Sequence, residues 1–273
     1  MLPNGGRGFT LIEISVVLVI IGVLIAFTAS GITPVLQSSK VSQTNQKLDR
    51  IELGLLAYVM QNGCLPCPAD GTIGSAAVTG GGVLTNAGWS VSSATAYYGP
   101  NGPTNQPCAA PTGTGCLHTI GVVPWNTLAL RDSDSVDPWQ DRISYAVTSA
   151  LTVTAGTSMT RALPASYPAG TLYVNNNSGT QQTSTAAYVL ISHGSDRSAA
   201  YAALNGALIP DPYASANQAP NNGSTGTGGS AAPFRQDKPL PAQGAAYFDD
   251  IVRFRTAAAV IQNCGKNACG NPP

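Results

Sequence analysis

Charge is scarce in this chain: it has 13 basic and 13 acidic side chains among 273 residues, whereas a soluble domain carries roughly a quarter of its residues charged. The two signs cancel, so no global field draws the chain toward a polyanion, and nucleic acid is not an expected partner. Histidine is scarcer still, with only His118 and His193, and six cysteines complete the stock of soft ligands. The common acid-base and metal sites have little material here, and no enzymatic activity is expected. No G-x-S-x-G, H-E-x-x-H or phosphate-binding Gly-Lys pattern occurs. His193 lies beside Ser192, Ser195 and Asp196, but adjacent residues cannot form a catalytic relay. What the chain does have is 43% apolar residues, enough for a core, and 30 glycines with 20 prolines, which make it loop-rich.

From Ile14 to Ser39 there is no charged residue, and the run ISVVLVIIGVLIAFTASGI is as apolar as a bilayer span of about 20 residues requires. A cleaved secretory signal, a plain membrane anchor and a retained filament-forming helix all fit such a run. A secretory signal would place its cleavage site near Thr28, Ala29 and Ser30, behind a basic n-region, yet MLPNGGR carries a single cationic side chain, Arg7. Glu13 interrupts the apolar run near its start. A carboxylate deep in a span costs about 3 kcal/mol, so it needs a reason.

The residues from Gly8 to Ile14 read GFTLIEI, with a short polar leader ending in Gly, then Phe, then Glu as the fifth residue after the Gly. This closely resembles the prepilin signature of type IV pilins and type II secretion pseudopilins. The resemblance implies that prepilin peptidase cuts between Gly8 and Phe9 on the cytoplasmic side and methylates the new Phe9 amine. It further implies a single-pass protein of the bacterial inner membrane, with its globular domain in the periplasm or on the cell surface. Its expected partners are other pilins or pseudopilins and the inner-membrane assembly platform. Glu13 then has a role: it meets the Phe9 amine of a neighbouring subunit, neutralising two charges in an apolar filament core and fixing the axial register. The alternative is a membrane-tethered extracytoplasmic binding protein whose helix only anchors it.

Beyond Lys40, apolar residues recur at Val41, Leu48, Ile51, Leu55 and Tyr58, with Leu56 and Val59 widening the stripe, while Lys47, Asp49, Arg50 and Glu52 take other positions. Steps of three, four and seven predict an amphipathic helix that continues from the span. From Phe9 to Gln61 it would measure about 80 Å, with Gly31 and Pro34 as places for a kink or local melting and Asn62-Gly63 as its end. The expected organisation is a leader over 1–8, a membrane or filament-core helix over 9–33, an amphipathic helix over 34–62 and a β-rich globular domain over 63–273. Strands are predicted over Ile143–Val147, Thr171–Val174, Tyr188–Ser192 and Ile251–Phe254. The fold class is α+β: a long N-terminal helix packed on a small antiparallel sheet with long loops, as in the pilins. The tracts Gly71–Gly88, Gly99–Gly115 and Gln218–Pro233 separate the strands, and the last has the composition of a flexible linker.

Three more stretches carry the resemblance further. CLPCPADG (Cys64–Gly71) and FDDIVRF (Phe248–Phe254) are similar to segments of one group of large pilin-like proteins, and DPWQDRISYAV (Asp137–Val147) to a segment of major pseudopilins, with Gln140 where that segment usually has Gly. The cysteines fall in three close pairs, Cys64/Cys67, Cys108/Cys116 and Cys264/Cys269; outside the cytoplasm these favour disulfides, with local pairing preferred among the connectivities available. A redox role for Cys64-Leu-Pro-Cys67 or a zinc site fits less well, because the pair follows a helix end and only one C-x-x-C exists. No cofactor is expected except, as one reading, calcium. Asp132, Asp134, Asp137 and Asp141 are hard oxygen ligands on one loop, although the calcium loop of major pseudopilins lies later, where this chain has Asp196, Asp249 and Asp250. The other reading makes them solvated turn acids and helix caps.

Overall fold

The computed structural model describes residues 10–75, 90–93, 96–98, 116, 118–152, 170–224, 226–240, 244, 246–262 and 269, without the side chains of 24–35 and 90–98. The chain divides into two units, Met1–Ser42 and Gln43–Pro273.

One long helix, α1, runs from Leu11 to Asn62. It is helical without a break through Gly31 and Pro34, so the local melting anticipated there is absent. Gly63, in the left-handed region at φ 73°, donates its N–H to the Val59 carbonyl and ends the helix as the Asn-Gly pair predicts. Within the second unit, Leu48, Ile51, Leu55, Tyr58 and Val59 are buried as the spacing predicts. Two positions differ. Val41 is exposed and Thr44 is the buried residue one step further on. Glu52, assigned to the polar face, is only 5% exposed. It is drawn inward by Arg255, which donates from Nε and Nη2 at 3.0 and 2.8 Å, and by the Tyr188 hydroxyl at 3.4 Å. A buried carboxylate is tolerated when it is paired and hydrogen-bonded in this way.

The principal sheet has the order β3–β4–β6–β5–β7, with β8 also on β6. Its strands are β3 (Ile120–Val122), β4 (Ser144–Val147), β5 (Leu172–Asn175), β6 (Gln181–Ser192), β7 (Phe234–Arg235) and β8 (Ile251–Thr256). A separate hairpin pairs β1 (Ser90–Ser93) with β2 (Ala96–Tyr98). All four predicted strands are present, and β6 extends well upstream of Tyr188. The sheet is mixed instead of wholly antiparallel, because β7 runs parallel to β5. A short helix, α2 (Ala257–Ile261), follows β8 and is capped by the Thr256 side chain, which accepts from the Ala259 N–H.

Both faces of the sheet are buried. One packs Tyr145, Val147, Tyr188 and Leu190 against the stripe of α1 and against Val260 and Ile261 of α2. The other joins Ile120, Ala146, Leu172, Val174, Val189, Ile191 and Phe234. This second core overturns the linker reading of Gln218–Pro233. Gln218 and Asn221 are buried, residues 219–221 form a turn of 3-10 helix, and Gly228, at φ 58°, lies so close to Phe234 and Leu172 that a Cβ there would clash. Its glycines let the backbone approach the sheet instead of freeing it to move. Of the other two tracts, residues 76–88 and 99–115 lie outside the described residues.

Candidate functional site

The first turn of α1 is closed by its own side chains. Thr10 precedes the helix; its N–H and its hydroxyl both donate to Glu13 Oε2 at 3.3 Å, and the Glu13 N–H donates to Thr10 Oγ1 at 3.4 Å. This is a reciprocal capping box, in which two orphan donors of the helix start are satisfied at once. From Leu11 to Val23 every residue is exposed, with Leu11 at 90% and Leu18 at 63%. An apolar helix surface without a polar face is one that another apolar phase covers. Among the described residues, no helix is long and apolar enough to cross a membrane. The span expected over 9–33 includes Phe9 and the side chains of 24–33, which lie outside the described residues, as do Gly8 and the rest of the leader.

The acidic segment is not a converging ligand set. Asp132 pairs with the buried Arg142, Asp134 with Arg50 of α1 and with Arg131, and Asp141 takes two bonds of 2.7 Å from Arg197. Asp137 accepts from the N–H groups of Trp139 and Asp141 and from Ser192 Oγ at 2.7 Å. Lys47 of α1 donates to the carbonyls of Ser133 and Val136. The chain thus supplies its own cations to this loop, and Arg142 in turn stacks on Trp125 at 3.9 Å. Two of these cations, Arg131 and Arg142, flank the segment directly, while Arg50 of α1 and Arg197 of the turn after β6 come from distant parts of the chain, which the sequence readings did not anticipate. Among the described residues, no group of three or more His, Cys, Asp or Glu side chains is arranged to hold a metal ion.

Gln140 takes a left-handed turn conformation that favours glycine, at φ 74°, with its N–H on the Asp137 carbonyl and its carbonyl accepting from the Ala203 N–H. A side chain in the left-handed region costs about 1 kcal/mol. Gln140→Gly is therefore expected to stabilise the domain by about that amount, less the entropy glycine adds to the unfolded chain. A urea midpoint below that of the parent would contradict this.

The turn after β6 gathers a second set of acids. Gly194, at φ 64°, lies so near Asp249 that a Cβ would sit 2.5 Å from its carboxyl carbon. Asp249 Oδ2 accepts from Ser195, from the Asp196 N–H and from the Tyr247 hydroxyl, and Oδ1 accepts from Gln218 Nε2 at 2.8 Å. Asp196 Oδ2, Gln218 Oε1 and Asp250 Oδ1 are buried without a hydrogen-bond partner. Burial, reinforced by the neighbouring Asp249 carboxylate, pushes Asp196 up to about 7. Burial also pushes Asp250 well above the carboxylate range and Asp137 up to about 6. His193, whose Nε2 lies 2.8 Å from Ser144 Oγ, is lowered by burial to about 4.

These shifts oppose one another. Each raised acid holds a proton that the unfolded chain has released, so its contribution is complete below about pH 4 and is lost as pH rises through its folded value. His193 contributes above about pH 6.5 and loses that contribution as pH falls toward 4. Three acids outweigh one histidine. In chelating buffer the thermal midpoint is expected to be higher at about pH 5.5 than at about 7.5, with Asp196→Asn flattening the difference. A midpoint that falls steadily on acidification would contradict the assignment.

Two of the three local cysteine pairs are overturned. Cys67 is bonded to Cys116, 49 residues away, which excludes both a Cys64–Cys67 and a Cys108–Cys116 bridge. Cys64 and Cys269 are also in disulfides, and Cys108 and Cys264 lie outside the described residues. Cys64 and Cys67 are both buried in the core at the end of α1, so each is directed by packing toward a distant partner.

Comparison with known families, with curated proteins and with solved structures gives one kind of match. The prokaryotic N-terminal methylation motif matches residues 4–29, a stretch that includes Gly8, Phe9, Glu13 and most of the apolar run. No curated protein and no solved structure matches the chain. Over residues 4–29 the chain carries the processing and methylation motif characteristic of the type IV pilin and pseudopilin family, as its sequence predicts.

Proposed function

We propose that this chain is the precursor of a structural subunit of a type IV pilus or type II secretion pseudopilus, of the minor kind. In this reading prepilin peptidase cuts between Gly8 and Phe9, and the apolar run holds the subunit in the inner membrane before assembly. The globular domain stands in the periplasm or at the cell surface. The observation that carries the reading is the methylation motif at residues 4–29, overlapping an exposed and largely apolar helical stretch from Leu11 to Val23 whose only charged residue is Glu13. The subunit's work is assembly through α1 with other pilins or pseudopilins on the membrane platform, and it performs no chemistry. The test is co-expression with and without the peptidase: a mass decrease equal to the leader, dependent on the peptidase, supports the reading. Retention of Met1 in its presence favours a tethered binding protein.

Calcium is carried forward at a different place from the acidic segment. The reading rests on the oxygens of Asp196, Gln218 and Asp250 that are buried without a hydrogen-bond partner, the kind of acceptor a hard cation would satisfy. Millimolar calcium is expected to raise the thermal midpoint near pH 7.5, and no shift would remove the ion from the account.

A further inference from the structure

We infer that Arg197, held on the buried carboxylate of Asp141, is a positioning residue for Asp196, bracing the turn after β6 so that one Asp196 oxygen stays open for a hard cation. The inference rests on the calcium reading proposed above. The turn enters the left-handed region three times, at Gly194 (φ 64°), Arg197 (φ 63°) and Ala199 (φ 57°). Two of these residues carry a Cβ, and such a conformation persists only where the surroundings over-determine it.

Two anchors do so. At one end, Asp249 Oδ2 accepts from the N–H groups of Ser195 and Asp196. At the other, Arg197 donates from Nε and Nη2 to the two oxygens of Asp141, both at 2.7 Å, and Asp141 has no exposed surface. Asp141 is fixed in turn: its N–H lies on Asp137 Oδ1, and the next residue, Arg142, donates its N–H to the Tyr201 carbonyl. A bidentate guanidinium–carboxylate pair sets an angle as well as a distance. Asp196 lies between the anchors. Its Oδ1 accepts from the Ser198 N–H at 3.0 Å, while Oδ2 has no partner. Gln218, 3% exposed, donates from Nε2 to Asp249 Oδ1 and leaves Oε1 unpartnered. The braced turn alone does not call for a ligand, but buried acceptors without donors do, and hard cations take oxygens of this kind. Asp141 of the acidic segment thus serves the cation as a brace and not as a ligand.

Arg197→Lys keeps the charge but loses the fork, and the Arg197→Gln/Asp141→Asn pair removes both charges without leaving either one unpaired. The full chain in detergent is titrated at about pH 7.5 with terbium, then with calcium in competition, and urea midpoints are recorded beside the affinities. The Tyr247 hydroxyl, 3.0 Å from Asp249 Oδ2, supplies a ring that sensitises terbium at this turn. Both variants are expected to bind the ions about tenfold more weakly than the parent, as loss of a supporting partner does at metal sites. Charge alone predicts no change, because neither variant alters the local net charge. Asp196→Asn is expected to abolish the emission, which places the ion at the turn. Parental affinity in Arg197→Lys would overturn the inference, and a lowered urea midpoint beside it would mark the pair as purely structural. No terbium emission from the parent would overturn the calcium reading itself, and the inference about Arg197 with it.

Discussion

Glu13→Leu is expected to leave membrane insertion intact and to reduce incorporation into filaments about a hundredfold or more, the effect of leaving one member of a desolvated ion pair without its partner at 3–5 kcal/mol. The two halves of the result separate two roles of one helix. Leucine is favoured in the bilayer where a carboxylate is not, so insertion is expected to improve slightly. Assembly loses the only anion in the otherwise uncharged stretch from Phe9 to Ser39, and with it the register between subunits. The measurement is the sedimentable filament fraction beside the carbonate-resistant membrane fraction. A filament fraction equal to that of the parent would place the register elsewhere.

Replacing Cys67 and Cys116 by serine together is expected to cost the folded domain about 4 kcal/mol, because the bridge closes a long loop whose freedom it removes from the unfolded chain. The sequence separation is 49 residues, and both cysteines lie in the core beside the end of α1. Against a typical total of about 5–15 kcal/mol, such a loss places the domain near its unfolding threshold. Urea midpoints of the oxidised parent and the double variant measure it, and non-reducing peptide mapping checks the pairing. Equal midpoints, or a peptide joining Cys64 to Cys67, would contradict the pairing.

The parts of this fold that could be read from sequence are those with local causes. The stripe of α1 follows from helical spacing, its end from Asn62-Gly63, and β4, β6 and β8 from runs of β-branched and aromatic residues. What escaped has causes distant in the chain. β3 and β7 are three and two residues long, too short for a pattern, and exist because neighbouring strands offer them an edge. Residues 218–233 read as linker by composition, yet Asn221 donates to Asp250 and to the Arg235 carbonyl, and the glycines beside it pack on Phe234. Glu52 looked like a surface residue until Arg255, 203 residues on, came to meet it. The same applies to the acidic segment, whose calcium-like composition is answered in part by the distant Arg50 and Arg197. At the N-terminus the methylation motif over residues 4–29 was legible because its spacing is local, while the contact of Thr10 with Glu13 needed coordinates.

The central claim is that the chain is processed as a prepilin, and the mass of the N-terminal peptide from protein made in its native host tests it most directly. A peptide beginning at N-methylated Phe9 is the expected result. A peptide beginning at Met1 would contradict it in favour of a plain anchor, and one beginning near Gly31 would mean that the apolar run is a discarded secretory signal.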